Sequence, residues 1–311
     1  MTPPIPRAAR GLWDSAPILL VTTTLLWSSN FIIGRAAIEH LPPIALAFWR
    51  WTVALALLIG PSWKYLRADL PKLRAAWPVV LALSALGVTL FNTLVYIGLR
   101  TTTATNGALL QSTNPLIILL FSFLLFRERV TSTQLVAVLI SLCGVVVIVA
   151  RGSLETLLAL AVAPGDLLIF LATAGYALYT VLLRRRPQVH PLSLLSATFA
   201  LGTLLLLPAY AWEHFSVGPV EPTPPVIGAV LYVGIFPSIV SFLCFNRATE
   251  LIGPARAGQY MHLTPAFGSL LAVIFLGERL HLFHFAGAGL IATGILLADA
   301  KRRAREAARA A

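Results

Sequence analysis

The chain has 311 residues, of which 58% are hydrophobic and only 11% charged, with a mean hydropathy of +0.85. Soluble domains carry about 25% charged residues, so the composition excludes a water-facing surface and names lipid as the solvent. The net charge of +11 does not signal nucleic acid, because the basic residues form short clusters between apolar runs rather than a polar basic domain.

A helix that crosses a bilayer needs roughly 20 mostly apolar residues. In chain order the apolar runs predict ten such helices: Pro17–Ile38, Ile44–Ile59, Pro78–Ile97, Ala104–Phe126, Ser132–Ala150, Gly165–Leu183, Pro191–Tyr210, Val226–Phe245, Ala255–Leu276 and Leu282–Ala300. The stretch before the first run, ending in Arg10-Gly-Leu-Trp-Asp14, reads as the flank of a spanning helix and not as a removable signal. The connections are short. Placing the N-terminus in the cytoplasm leaves only Arg35, Arg50, Arg100, Arg151 and Arg279, of the 23 lysines and arginines, on the other side. The positive-inside rule therefore puts both termini in the cytoplasm. Cys143 and Cys244 lie in apolar runs and read as small buried residues.

The chain repeats itself. Pro115 and Pro265, Glu128 and Glu278, Arg129 and Arg279, and Gly144 and Gly294 are each separated by 150 positions. Residues 1–152 and 153–311 then form two five-helix copies. Five is odd, so the second copy enters the membrane from the opposite face. Such inverted repeats are a plan of transporters, with the substrate site at their interface near mid-membrane.

The first copy opens with "LLWSSNFIIGRAAIEHLPPIALAFWR", and each copy carries a hairpin of proline, long apolar run, Glu-Arg and glycine-bearing helix. These features resemble the EamA branch of the drug/metabolite transporter superfamily, over almost the whole chain. Within that branch the chain is most similar to bacterial exporters of amino acids and related metabolites, aromatic amino acids included. The second copy departs from the pattern at its start, where "LATAGYALYTVLLRRR" lacks the Trp-Ser-Ser-Asn element. The resemblance implies transport and fixes little about the solute.

Polar groups deep in a spanning helix must face protein or water. Helical spacing groups them: Trp27 with Asn30; Asn92 with Tyr96; Gln111 with Asn114; Tyr176 with Tyr179; Tyr232 with Phe236; Gln259 with His262, and Tyr260 alongside. They fall in corresponding helices of the two copies and are expected to line one central cavity of aromatic walls and uncharged polar groups. Packing between helices is the competing role for each. His262 is the one group there suited to titration near neutral pH. Arg50 lies toward the outer end of its helix, suited either to a substrate carboxylate or to an outer gate. Gly87, Pro115, Pro237 and Pro265 mark expected bends, and Glu128–Arg129 and Glu278–Arg279 expected latches at opposite mouths.

What is absent also discriminates. No predicted span holds a carboxylate at its middle, which argues against a pump of cationic drugs, and no glycine-rich phosphate loop is present. No nucleophile–base or metal-ligand pattern points to an enzyme, and no cofactor is expected. The resulting expectation is a monomeric multi-pass protein of the bacterial inner membrane, whose partners are the solute and the bilayer. It exports small neutral or zwitterionic metabolites, as a facilitator. Proton-coupled export of broader metabolites or drugs is the alternative, with a channel or an intramembrane enzyme further behind.

Overall fold

The computed structural model describes residues 11–38, 41–102, 104–159, 163–276, 279 and 281–310. Among them the regular structure is entirely helical. The helical runs are α1 (Ala16–Ile38), α2 (Pro43–Ala75), α3 (Trp77–Gly98), α4 (Asn106–Phe126), α5 (Ser132–Val149), α6 (Pro164–Arg185), α7 (Pro191–Val217) and α8 (Pro224–Ile252). Next comes α9, built from Pro254–Gln259, a tight turn at Tyr260–His262 and Leu263–Leu276, and then α10 (Leu282–Ala310). Seven of these runs, α2 to α8, are long and apolar enough to cross a membrane by length and composition, and Leu282–Ala298 is a shorter apolar stretch. Their outward faces carry Leu120, Phe123, Leu124, Leu139, Leu204 and Ile274, all exposed. Only lipid makes such a surface stable.

Helix ends follow local chemistry. Proline occupies the first turn of α2, α3, α6, α7 and α8, where its missing N–H has no helical partner to lose. Thr131 and Gln134 form a capping box at α5. Two runs are longer than their apolar cores suggest. α2 continues past Ile59 to Ala75 through Pro61 and Pro71, and α7 continues past Tyr210 to Val217. The extension of α7 matters, because it brings Glu213 into the fold. Expected in a loop, Glu213 is instead 3% exposed and accepts hydrogen bonds from the Ile44 and Ala45 N–H groups, at 3.2 and 2.6 Å. A carboxylate there satisfies the open donors at the start of α2 and complements its dipole.

The helices interdigitate across the middle of the chain. α1 packs on α8 and α9, while α6 packs on α3 and α4. α2 packs on α8 and α7 on α3, and three further pairs are α2 with α7, α4 with α9 and α5 with α10. Exchanging α1–α5 for α6–α10 turns this set of pairs into itself. The α5–α10 seam shows the same exchange residue by residue. A Cβ added at Gly144 would meet Gly287 and Ile291, and one added at Gly294 would meet Ala137 and Ser141. Each of those neighbours is the other's counterpart 150 positions away. Small residues allow this close approach, which drives helix association where no hydrophobic effect operates.

One sequence expectation is corrected here: Cys143 is exposed on the outer face of α5, while Cys244 is buried. An apolar helix in lipid has apolar residues on its outside too, so hydropathy alone does not separate the two. The seam generates a prediction. Gly144→Leu and Gly294→Leu are each expected to destabilise by about 1–3 kcal/mol through overpacking. Thermal unfolding in detergent should show similar falls in Tm for the two variants.

Candidate functional site

The centre of the site is Arg50, a guanidinium 1% exposed inside the bundle. Its Nη1 donates to Asn92 Oδ1 (2.9 Å), Tyr96 Oη (3.0 Å) and Asn30 Oδ1 (3.3 Å). Its Nε and Nη2 both donate to Ser238 Oγ, at 3.0 and 2.9 Å. The partners come from α1, α3 and α8, so one side chain on α2 ties four helices. No carboxylate is among its partners in the described residues. Placing an arginine at the centre of a membrane helix costs about 2.5–3.5 kcal/mol. Hydrogen bonds to a charged group return about 1.5–3 kcal/mol each, which is enough to hold Arg50 there.

Ser238 is in place because of Pro237. The proline has no N–H, so the carbonyl of Val233 loses its partner four residues on, and the segment winds with bonds five residues apart. The Ser238 hydroxyl also donates to that carbonyl, at 2.8 Å. Its donor is then used, and both lone pairs are left for Arg50. The distortion winds Gly234–Val240 into a π-helical segment, and α3 has the matching segment at Ala85–Leu90 around Gly87. Such segments are frequent at functional sites. The Pro237 carbonyl also accepts from Trp27 Nε1 at 3.2 Å.

Trp27 begins a second group, an aromatic cluster. Its ring lies 5.5 Å from Tyr176 and 5.2 Å from Phe245, and Tyr176 lies 5.1 Å from Tyr179. Phe242 packs against Trp27, Tyr176 and Tyr179, and it meets Phe199 and Trp51 behind them. The Tyr179 ring covers Gly87, where an added Cβ would come within 2.6 Å of it. Its hydroxyl donates to Asn246 Oδ1 at 2.8 Å, toward the end of the bundle where Arg184, Arg186 and Arg247 lie.

A third group joins α4 to α9. Pro115 breaks α4 at Thr113, and the N–H groups of Leu116 and Ile117 turn to the Thr113 carbonyl. The Ser112 carbonyl is thereby freed and accepts from His262 Nε2 at 2.8 Å. A carbonyl cannot donate, so Nε2 carries the proton; Nδ1 is buried without a hydrogen-bond partner. Asn114 donates to the Thr173 carbonyl at 3.1 Å, and Gln259 donates to Ser141 Oγ at 3.3 Å. Pro265 sits just beyond the tight turn that carries His262. Tyr260 is buried beside Gln259, and Gln111 is half-buried. Tyr232 stands apart from all three groups, half-buried on α8, with its hydroxyl 2.7 Å from Ser29 Oγ.

The residues expected to line one cavity thus fall into an arginine node, an aromatic cluster and a histidine-centred helix contact. Among the expected latches, Glu128 pairs with Arg184 rather than with its neighbour Arg129, which is exposed. The pair belongs to an ionic rim at the arginine-rich end, where Glu250 bridges Arg186 and Arg247, and Arg247 also pairs with Asp14. Arg279 is exposed, and Glu278 lies outside the described residues. Sequence reasoning missed the partners of this rim, as well as Phe242, Phe245 and Ser238. The Pro-Ser pair at 237–238 was the available signal, since a hydroxyl beside a helix proline is a ready cap for the orphaned carbonyl.

Fold and site define a helical membrane protein that keeps a cation and a set of neutral polar groups in its interior. The EamA-like transporter family matches the chain twice, over residues 14–150 and 163–298. An uncharacterized transporter of Archaeoglobus fulgidus is 30% identical over 287 residues, covering 92% of this chain and 97% of its own. The uncharacterized transporter YyaM of Bacillus subtilis is 26% identical over 283 residues, covering 91% and 92%. A solved crystal structure shares the fold with a TM-score of 0.74 at 23% identity, covering 94% of this chain and 98% of that one. The chain belongs to the EamA-like transporter family, within the drug/metabolite transporter superfamily.

The geometry separates two roles of Tyr179. Tyr179→Phe removes only the bond to Asn246 and is expected to cost about 0.6 kcal/mol. Tyr179→Ala also empties the ring's place and is expected to cost about 3–5 kcal/mol. Thermal unfolding of the purified variants measures both.

Proposed function

We propose that the protein is a multi-pass carrier of the bacterial inner membrane, both termini cytoplasmic, that exports small zwitterionic or neutral metabolites. Amino acids with aromatic or other apolar side chains are the class that fits the site. In this reading all ten helical runs cross the bilayer, as two inverted five-helix copies, 1–152 and 153–311. The exchange symmetry of the helix pairs and the double family match support that arrangement. Transport runs by alternating access around the interior polar site.

The observation that carries the substrate class is Arg50: a buried cation with a fork of donors and neutral acceptors only. A substrate carboxylate would exchange neutral partners for a charge-assisted, bidentate one, roughly twice as strong per bond. Trp27, Tyr176 and Phe242 supply an apolar surface for the side chain. Lysine cannot reproduce the fork. Arg50→Lys is therefore expected to lower phenylalanine flux into proteoliposomes at least about tenfold while the protein stays monodisperse. Flux of phenethylamine, which lacks the carboxylate, should change little. Wild-type phenylalanine flux in this variant would remove Arg50 from the substrate site.

His262 supports a second reading, proton-coupled export, because its Nδ1 is buried and unpaired. The facilitator reading expects His262→Gln to leave the pH profile of flux unchanged between about pH 6 and 8, around the ordinary histidine pKa. A pH dependence in the wild type that this substitution abolishes would establish the coupled mechanism instead.

A further inference from the structure

We infer that the arginine-rich mouth is itself a binding site, where a zwitterion with an apolar side chain docks before entering the carrier and loosens the ionic rim. The inference rests on the carrier reading above and adds a second station to it. At this end the ion pairs close over a small cavity of about 30 Å³. Its walls hold two arginines and a carboxylate, Arg186, Arg247 and Glu250, together with Asn246 and the apolar Leu194 and Leu243. Once the ion pairs part, both charges of a zwitterion and its side chain find a matching group among these residues.

The ion pairs are arranged for exchange. A single oxygen, Glu250 Oε2, bridges Arg186 Nη2 at 2.7 Å and Arg247 Nη1 at 3.1 Å. Arg247 Nη2 holds Asp14 at 2.6 Å, while the Arg247 Nε is buried with no hydrogen-bond partner. All these pairs are partly exposed, and pairs of that kind are individually weak. An incoming carboxylate takes the place of Glu250 between the two guanidiniums, and the ammonium of the same ligand pairs with the released Glu250. Each charged group keeps an opposite charge beside it, so the exchange leaves no charge stranded. A cation or an anion alone would leave one group unpaired.

The exchange reaches the interior through Asn246. Arg186 Nη1 donates to the Asn246 carbonyl at 3.4 Å, and the Asn246 side chain accepts from Tyr179 of the aromatic cluster. Drawing Arg186 toward the ligand loosens the contact between the ends of α6 and α8, which the rim holds closed.

Uptake measured from each face of oriented proteoliposomes tests the site, with labelled phenylalanine, phenethylamine and 3-phenylpropionate as probes. Glu250→Gln keeps the shape and removes the ammonium partner. It is expected to raise the KM for phenylalanine about tenfold from the arginine-rich face only, and to lower the KM for 3-phenylpropionate, which no longer strands a carboxylate. Glu250→Asp should restore most of the loss, which excludes misfolding as its cause. An unmoved KM from the arginine-rich face, or an equal change from both faces, would overturn the docking site alone. Absence of phenylalanine flux in the folded wild type would overturn the carrier reading for this class and the docking site with it.

Discussion

A guanidinium held inside a membrane protein by neutral oxygens constrains everything around it. Arg50 is held only if Asn30, Asn92, Tyr96 and Ser238 converge from three other helices. That convergence fixes the relative height and rotation of α1, α2, α3 and α8. Ser238 lies in the π-helical segment around Pro237 and is oriented by its bond to the Val233 carbonyl, so the distortion of α8 and the placement of Arg50 are linked. Glu213 adds a second clamp on the same helix, because it ties the first N–H groups of α2 to α7 one to two turns before Arg50. The site is built from helix defects, each of which exposes a backbone group that a side chain then satisfies. The break in α4 follows the same logic: Pro115 frees the Ser112 carbonyl and His262 fills it.

These defects also explain how a tightly packed bundle can hold a polar interior in lipid. An unsatisfied backbone group costs several kcal/mol in hydrocarbon. A helix that bends must therefore find partners for what it exposes, and several of those partners come from the opposite half of the chain. Trp27 on α1 meets the Pro237 carbonyl on α8, and Ser28 donates to the Thr264 carbonyl on α9 at 3.0 Å. The halves cannot separate without stranding these groups. A shift of one half against the other has to trade partners rather than lose them, which is the requirement on any carrier that exposes its site alternately to two sides.

Much of this was legible in the sequence, and the limits have physical causes. Apolar run length places nearly every helix because lipid imposes one length scale on all of them. It stops short at α2 and α7, where the helix continues as a polar or proline-bearing rod beyond the apolar stretch. Spacing by three and four finds Trp27, Asn30, Asn92 and Tyr96, because it reports which residues share a helix face. It cannot report which helices face one another, so Arg50 stood apart from the residues that hold it. For the same reason the latch expected at Glu128 was read without its partner: Glu128 meets Arg184, which arrives from α6.

The repeat makes the asymmetry of the site informative. Counterparts 150 positions apart in α3 and α8 do different work. Asn92 and Tyr96 hold Arg50, while their counterparts Phe242 and Asn246 belong to the aromatic cluster and its link to the rim. Ser238 accepts from Arg50, while its counterpart Val88 packs against Gly202. A shared backbone plan thus carries two different layers, one polar and one aromatic, each drawing side chains from both copies. With the copies inverted as proposed, the two layers lie at opposite depths of one passage. A carrier with identical halves would have two open states of equal energy by symmetry. In the carrier proposed above, one end is closed by packed rings and ion pairs and the other is organised by a buried cation, so the two states would differ in energy. In that reading the bias comes from side chains, and a solute that offers a carboxylate to one layer and an apolar surface to the other is the ligand we propose offsets it.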